Sequence, residues 1–202
     1  MKKRTAEKNR ETKETNIKLK LAIDGSGKSS INTGIGFLDH MLELFAFHGL
    51  FDLEITATGD LKVDIHHTNE DIGIVLGDAF KEALGDKKGI KRISSAAVPM
   101  EDVVANVTAD ISGRGSLKLE RPGDSRPQAD DKEGYALNDA EHFFEAFAKR
   151  LGVNLNITIY PLGKDLHTTL EPVFKALGLA MDAATQIDPR RTGIPSTKGI
   201  ID

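Results

Sequence analysis

The chain contains no cysteine, which excludes disulfides and leaves no thiolate to hold a metal. Any transition metal must then be bound by histidine, carboxylate or water. No apolar run approaches the ~20 residues that a membrane span requires. The opening stretch, MKKRTAEKNRETKET, is charged and lacks the apolar centre of a signal peptide, so a cytoplasmic setting is expected. An excess of positive charge is also missing. The 202 residues carry a net charge of −4, so neither nucleic acid nor an anionic membrane is the expected partner. What is there is ordinary globular composition, 39% hydrophobic and 29% charged, long enough for one large domain or two small ones sharing a core.

Against this background the sequence repeats itself. Asp64-Ile65-His66-His67-Thr68-Asn69-Glu70 is echoed by Asp165-Leu166-His167-Thr168-Thr169-Leu170-Glu171, 101 residues on (165 − 64). Leu76-Gly77 returns as Leu177-Gly178 at the same offset. Upstream, His40 returns as His142 at 102 (142 − 40), with Glu43/Glu145, Phe45/Phe147 and Ala46/Ala148 in register. Two copies of one unit is the economical reading. Of the six histidines, all but His48 fall in the matched blocks, and His48, before Gly49, reads as a helix C-terminal residue favoured by the dipole.

Each copy follows a similar order. Leu38, Met41, Leu42 and Phe45 predict a helix over 37–48, and Phe143, Phe144, Phe147 and Leu151 predict its counterpart near 140–151. Alternating strands follow at Leu53 and Ile55, and at Leu155, Ile157 and Ile159. A second helix carries Ile72, Val75, Leu76, Ala79, Phe80 and Ala83 in one copy, and Val173, Ala176, Leu177 and Ala180 in the other. Further strands are expected at 16–23 and 103–111. The polar stretch 121–134 reads as a loop. The expected fold is α+β, with half-domains 1–95 and 96–202, each a small sheet backed by helices.

The chemistry lies in the repeated block. His66 and Glu70, four apart, share one helix face and offer a divalent cation an imidazole and a carboxylate. His167 and Glu171 repeat the arrangement. One such pair alone is more often solvated than ligating. Two in register, each preceded by a histidine 26 or 25 residues earlier (66 − 40; 167 − 142), point to metal. Pro172 places the start of the last helix near Thr168 or Thr169, because proline is tolerated only in a first turn. The tail Ile194-Pro195-Ser196-Thr197-Lys198-Gly199 offers hydroxyls and a lysine to a phosphate, although such tails are also commonly just solvated.

Taken together, Gly34-Ile35-Gly36-Phe37-Leu38-Asp39-His40-Met41, the block 64–71, Val98-Pro99-Met100, Ser112-Gly113-Arg114, Glu141-His142-Phe143-Phe144 and Pro195-Ser196-Thr197-Lys198-Gly199 closely resemble the imidazoleglycerol-phosphate dehydratase family. The likeness runs from about Arg10 to the C-terminus. It implies two similar βαβ-type half-domains and dehydration of imidazole glycerol phosphate to imidazole acetol phosphate in histidine biosynthesis. It also implies two manganese ions that bind the substrate imidazolate, and assembly into a cubic homo-oligomer of 24 copies with active sites between subunits. By position, the resemblance assigns His40, His66, His67, Glu70, His142, His167 and Glu171 to metal. Arg92, Arg114, Ser196 and Lys198 fall at phosphate-binding positions, and Glu14 at a proton-transfer position alongside the catalytic carboxylates Glu70 and Glu171.

This chain departs from the family pattern in places. Thr168 stands where a second histidine is usual, which implies one manganese site with three protein side chains. Pro172 replaces an alanine and implies a shift of His167 relative to Glu171. Asp165 stands for asparagine and Gly115 for proline. These changes keep open a second reading, a relative that holds metal or an imidazole ligand without turnover. A metal-dependent hydrolase using the same ligands is a third reading, with no motif of its own.

Overall fold

The computed structural model describes residues 4–123 and 134–201; most of the stretch read as a loop over 121–134 lies outside them. The first half runs β1 (Thr5–Glu11), β2 (Thr15–Ala22), β3 (Ser29–Asn32), α1 (Gly36–Gly49), β4 (Asp52–Gly59) and α2 (His66–Leu84). The second runs β5 (Ile93–Met100), β6 (Val103–Asp110), β7 (Ser116–Glu120), α3 (Leu137–Leu151), β8 (Asn154–Tyr160) and α4 (Leu166–Thr185). The point 95/96 falls within β5. The two sheets have the orders β1-β2-β4-β3 and β5-β6-β8-β7, the same order once each strand is matched to its repeat. In each, the parallel pair (β3 with β4, β7 with β8) is joined through a helix, and the other pairings are antiparallel. Each half thus contains one βαβ unit, with a hairpin strand pair on its sheet, as the duplication predicts.

Period-two patterning aims each sheet. In β2, Ile17, Leu19 and Leu21 are buried while Lys18 and Lys20 point outward. The four strands missed in the sequence, β1, β3, β5 and β7, are all edges. β1, TAEKNRE, buries only Ala6, because an edge strand carries charge that deters further pairing. The buried faces receive the helices, α1 and α2 on the first sheet and α3 and α4 on the second.

The halves join helix to helix, α1 against α4 and α2 against α3. His40 lies beside Glu171 and Phe45 beside Gly178, so α1 and α4 run in the same direction. Likewise His66 meets His142 and Gly77 meets Phe147, so α2 and α3 do too. All four helices therefore start at the same end as the histidines. The aromatic core bridges the halves, with the repeat-related Phe45 and Phe147 rings 6.5 Å apart and Phe80 touching both. Tyr135, fully buried, stacks on Phe37 at 5.1 Å and donates to Asn69 Oδ1 at 2.7 Å, which satisfies its hydroxyl inside the core.

The start of α4 corrects the sequence reading. The helix begins at Leu166 rather than near Thr168, so His167 is within it and Pro172 sits seven residues in. Asp165 makes this possible. Its Oδ1 accepts from the Thr168 amide at 2.8 Å and from the Thr168 hydroxyl at 2.7 Å, a strong N-cap. Pro172 lacks only the N–H that would have reached the Thr168 carbonyl. The residues named as departures, Asp165 and Thr168, thus form one hydrogen-bonded unit. Gly115 also has a local cause, since a Cβ there would meet the Ala148 carbonyl oxygen at 2.2 Å.

Candidate metal centre

The shared helix polarity brings the histidines together, but in an exchanged pattern. His40, from α1 of the first half, joins His167 and Glu171 from α4 of the second. Their ligand atoms lie within 4.8 Å of one another. The His40 and His167 rings stack at 5.2 Å, and Glu171 Oε2 is 2.6 Å from His167 Nε2 and 3.7 Å from His40 Nε2. Conversely, His142, from α3 of the second half, meets His66 of α2 in the first, and His66 in turn faces Glu70. The His142 and His66 Nδ1 atoms are 3.2 Å apart, and His66 Nε2 is 3.7 Å from Glu70 Oε2. Each cluster takes one histidine from one repeat and a His-x-x-x-Glu pair from the other. Pro172 does not pull His167 from Glu171; that contact is the shorter of the two pairs.

The clusters differ electrostatically. Glu171 is 13% exposed and also paired with Lys175, whereas the Glu70 side chain is 48% exposed. Burial pushes the Glu171 carboxyl up, and Lys175 and His167 beside it outweigh this, holding it below the usual glutamate range. Ile74 occupies the position in the first repeat that Lys175 holds in the second (175 − 101). Sequence reasoning overlooked Lys175, although its (i, i+4) spacing from Glu171 was a usable signal.

His67 and Thr168 part company here. The His67 ring turns from the His66 cluster to Asp60 and Glu14; its Nδ1 is 3.0 Å from Asp60 Oδ2 and 3.8 Å from Glu14 Oε2. The hydrogen bond to Asp60, more than the opposing desolvation, raises the His67 pKa above the usual histidine range. Thr168 is 5% exposed and spends its hydroxyl on the helix cap, so it reaches neither cluster. Glu14 sits on the β1–β2 turn, where its carbonyl accepts from the Asp60 amide at 3.1 Å. Asp71 braces that hairpin, accepting from the Thr15 hydroxyl at 2.6 Å and pairing with Arg10 at 2.9 Å.

The residues assigned to phosphate lie elsewhere. Arg92 holds a left-handed backbone at φ +77° with its amide donating to the Ala184 carbonyl at 2.8 Å. Its Nε and Nη2 grip Asp110 at 2.6 and 3.0 Å, and Nη1 donates to the Pro195 carbonyl at 2.9 Å. Two of the five guanidinium donors remain for a ligand. Next to this clamp the tail folds tightly, the Ser196 hydroxyl and carbonyl accepting from the Lys198 and Gly199 amides. Arg114 is exposed on the β6–β7 connection, its amide donating to the Ser112 hydroxyl at 3.3 Å.

The donor chemistry suits a borderline-hard divalent ion such as manganese. Both clusters offer imidazole nitrogen and carboxylate oxygen with no sulfur, and among the described residues the ligand atoms close to within 4.8 Å of one another in His40, His167 and Glu171 and in a further group, Glu14, Asp60 and His67. None of the helices in the described residues is long and apolar enough to cross a membrane.

The family model described as imidazoleglycerol-phosphate dehydratase matches residues 33–181, a span that takes in both clusters. Imidazoleglycerol-phosphate dehydratase of Pelobacter propionicus is 51% identical over 98% of this chain and 99% of its own. The Thermoanaerobacter sp. protein of that name is also 51% identical, over 98% of this chain and all of its own. Among solved structures, the Pyrococcus furiosus enzyme superposes with a TM-score of 0.80 at 35% identity, covering 96% of this chain and 99% of that one. The Staphylococcus aureus enzyme gives 0.78 at 33% identity, over 91% and 99%. With repeat, fold and histidine clusters all in place along its length, this chain belongs to the imidazoleglycerol-phosphate dehydratase family.

Proposed function

We propose that the chain is a hydro-lyase that dehydrates imidazole glycerol phosphate to imidazole acetol phosphate in histidine biosynthesis, with manganese at each of the two clusters. The observation that carries this is the pair of exchanged His/His/Glu clusters on the ends of four parallel-started helices, in a chain about half identical to named dehydratases over its full length. Manganese held there would supply Lewis acidity to the substrate's imidazole ring.

The chain's own residues would do the rest. His40, His167 and Glu171 fix one position on the ring, and His66, His142 and Glu70 a second. Glu14, 55% exposed on its turn, is free to take the proton from the carbon that is not activated by any carbonyl, and to return it later. Arg92, Arg114, Ser196 and Lys198 hold the phosphate by charge-assisted hydrogen bonds.

The spacing of these groups supports a site built from more than one copy. Arg92 is hydrogen-bonded to Ala184, 17 residues beyond His167 on the same helix (184 − 167), or about 25 Å at ~1.5 Å per residue. A small substrate cannot span that distance. The phosphate clamp of one chain would therefore serve the histidine clusters of another, which agrees with a closed homo-oligomer. Co-refolding two inactive variants, Arg92→Ala and Glu171→Gln, tests this. Mixed particles should recover about a quarter of the activity or more, because some sites draw both intact halves from different chains. Recovery no greater than the sum of the two separate variants would show that each chain builds its own site.

A further inference from the structure

Asp60, the hydrogen-bond partner of His67, has no role in the function proposed above. Asp60 follows β4 directly and is pinned at both ends of its backbone. Its amide donates to the Glu14 carbonyl at 3.1 Å, and its carbonyl accepts from the Val63 amide at 2.7 Å. Its side chain is only 26% exposed. One oxygen, Oδ1, is buried without a hydrogen-bond partner among the described residues. The other, Oδ2, lies 3.0 Å from His67 Nδ1. An ionised carboxylate can only accept, so the proton in this bond belongs to Nδ1.

That assignment has a consequence for the ring. A neutral imidazole with its proton on Nδ1 presents its only lone pair at Nε2. The His67 side chain is 36% exposed, so its ring is partly open to the surface. Carboxylates commonly hold a metal-binding histidine in this way, setting both its tautomer and its ring orientation.

The second repeat supplies an internal comparison. Thr168 occupies the position of His67, and the stretch equivalent to Asp60, Pro161-Leu162, contains no carboxylate. Thr168 is turned to Asp165 as a helix cap. Histidine and carboxylate are thus both present in one copy and both absent in the other, as expected if they act as a unit.

We infer that Asp60 is a positioning residue for His67, holding its Nδ1–H so that Nε2 faces outward as a ligand nitrogen. This rests on the reading of His67 as a ligand, and the test separates the two. Manganese is titrated calorimetrically into the metal-stripped assembly of the wild type, Asp60→Ala, Asp60→Asn, His67→Ala and the Asp60→Ala/His67→Ala double variant. His67→Ala identifies the manganese site that His67 serves. Asp60→Ala should weaken that site by about 10–100-fold. Asp60→Asn keeps the packing but admits the other tautomer, and should weaken it too. In the His67→Ala background Asp60→Ala should add nothing, because its only route to the metal is gone. Two outcomes overturn the inference while leaving His67 a ligand. One is wild-type manganese affinity in both Asp60 variants. The other is an equal loss from Asp60→Ala with and without His67, which would mark a general structural role. If His67→Ala leaves every manganese site untouched, the ligand reading itself fails and the inference falls with it.

Discussion

Glu171→Gln is expected to remove one manganese per chain and to lower turnover by about 100-fold or more, the scale at which ligand shells act. Glutamine has the size of glutamate but not its charge. Glu171 sits 2.6 Å from His167 and 3.7 Å from His40 with Lys175 on its other oxygen. Without the carboxylate the cluster would lose its only negative charge and leave two imidazoles beside the Lys175 ammonium, which repels a divalent cation. The exchanged arrangement makes a sharper forecast. His40→Ala lies in the other half of the chain yet strikes the same ion, so adding it to Glu171→Gln should cost little more. His142→Ala belongs to the second cluster, and combined with Glu171→Gln it should empty both. Metal analysis of the purified variants reads this directly. If His40→Ala and Glu171→Gln were each to remove a different ion, the exchange between repeats would be wrong.

Gly178→Ala is expected to destabilise the fold, although alanine is the better helix former by about 1 kcal/mol. A Cβ at Gly178 would come within 2.5 Å of the Phe45 carbonyl oxygen and 3.0 Å of the Gly49 amide nitrogen. Both obstacles are backbone, so α1 and α4 would have to move apart, and overpacking of this kind costs about 1–3 kcal/mol. The net loss should be up to about 2 kcal/mol after the helical gain. At about 2–4 °C per kcal/mol for a chain of this size, thermal unfolding should begin several degrees earlier. The same separation would pull His40 from His167 and Glu171, so manganese affinity should fall with it. Its repeat partner behaves alike, since a Cβ on Gly77 would meet the Phe147 carbonyl oxygen at 2.8 Å. An unchanged melting temperature in Gly178→Ala would show that the helices are not held this close.

The glycine pair also shows how much of the fold could be read from residues alone. Leu76-Gly77 and Leu177-Gly178 stand out as a repeat, and so do Phe45 and Phe147. That these glycines face those phenylalanine carbonyls depends on helix pairing across the halves, which a one-dimensional pattern does not carry. For the same reason the His-x-x-x-Glu pairs were legible as candidate ligand pairs, while the histidine that lies beside each, His142 for His66 and His40 for His167, was not. Local rules failed in two places. Pro172 suggested a late helix start, whereas the Asp165 cap lets the helix begin at Leu166 and take the proline in its interior. Edge strands β1 and β7 carry too few apolar residues to register as strands. Asp60 was overlooked because an aspartate in a turn after a strand is ordinary; only its 3.0 Å contact with His67 singles it out.

The reading of the whole site as a dehydratase centre is most directly tested by incubating the metal-stripped protein with imidazole glycerol phosphate over a manganese titration and following imidazole acetol phosphate. Manganese bound per chain is measured in the same samples. Product formation that rises with manganese and saturates near two ions per chain is the expected result, with Thr168 in place. Saturation with manganese but no product at any level would contradict the account, and would leave a metal-binding relative without turnover.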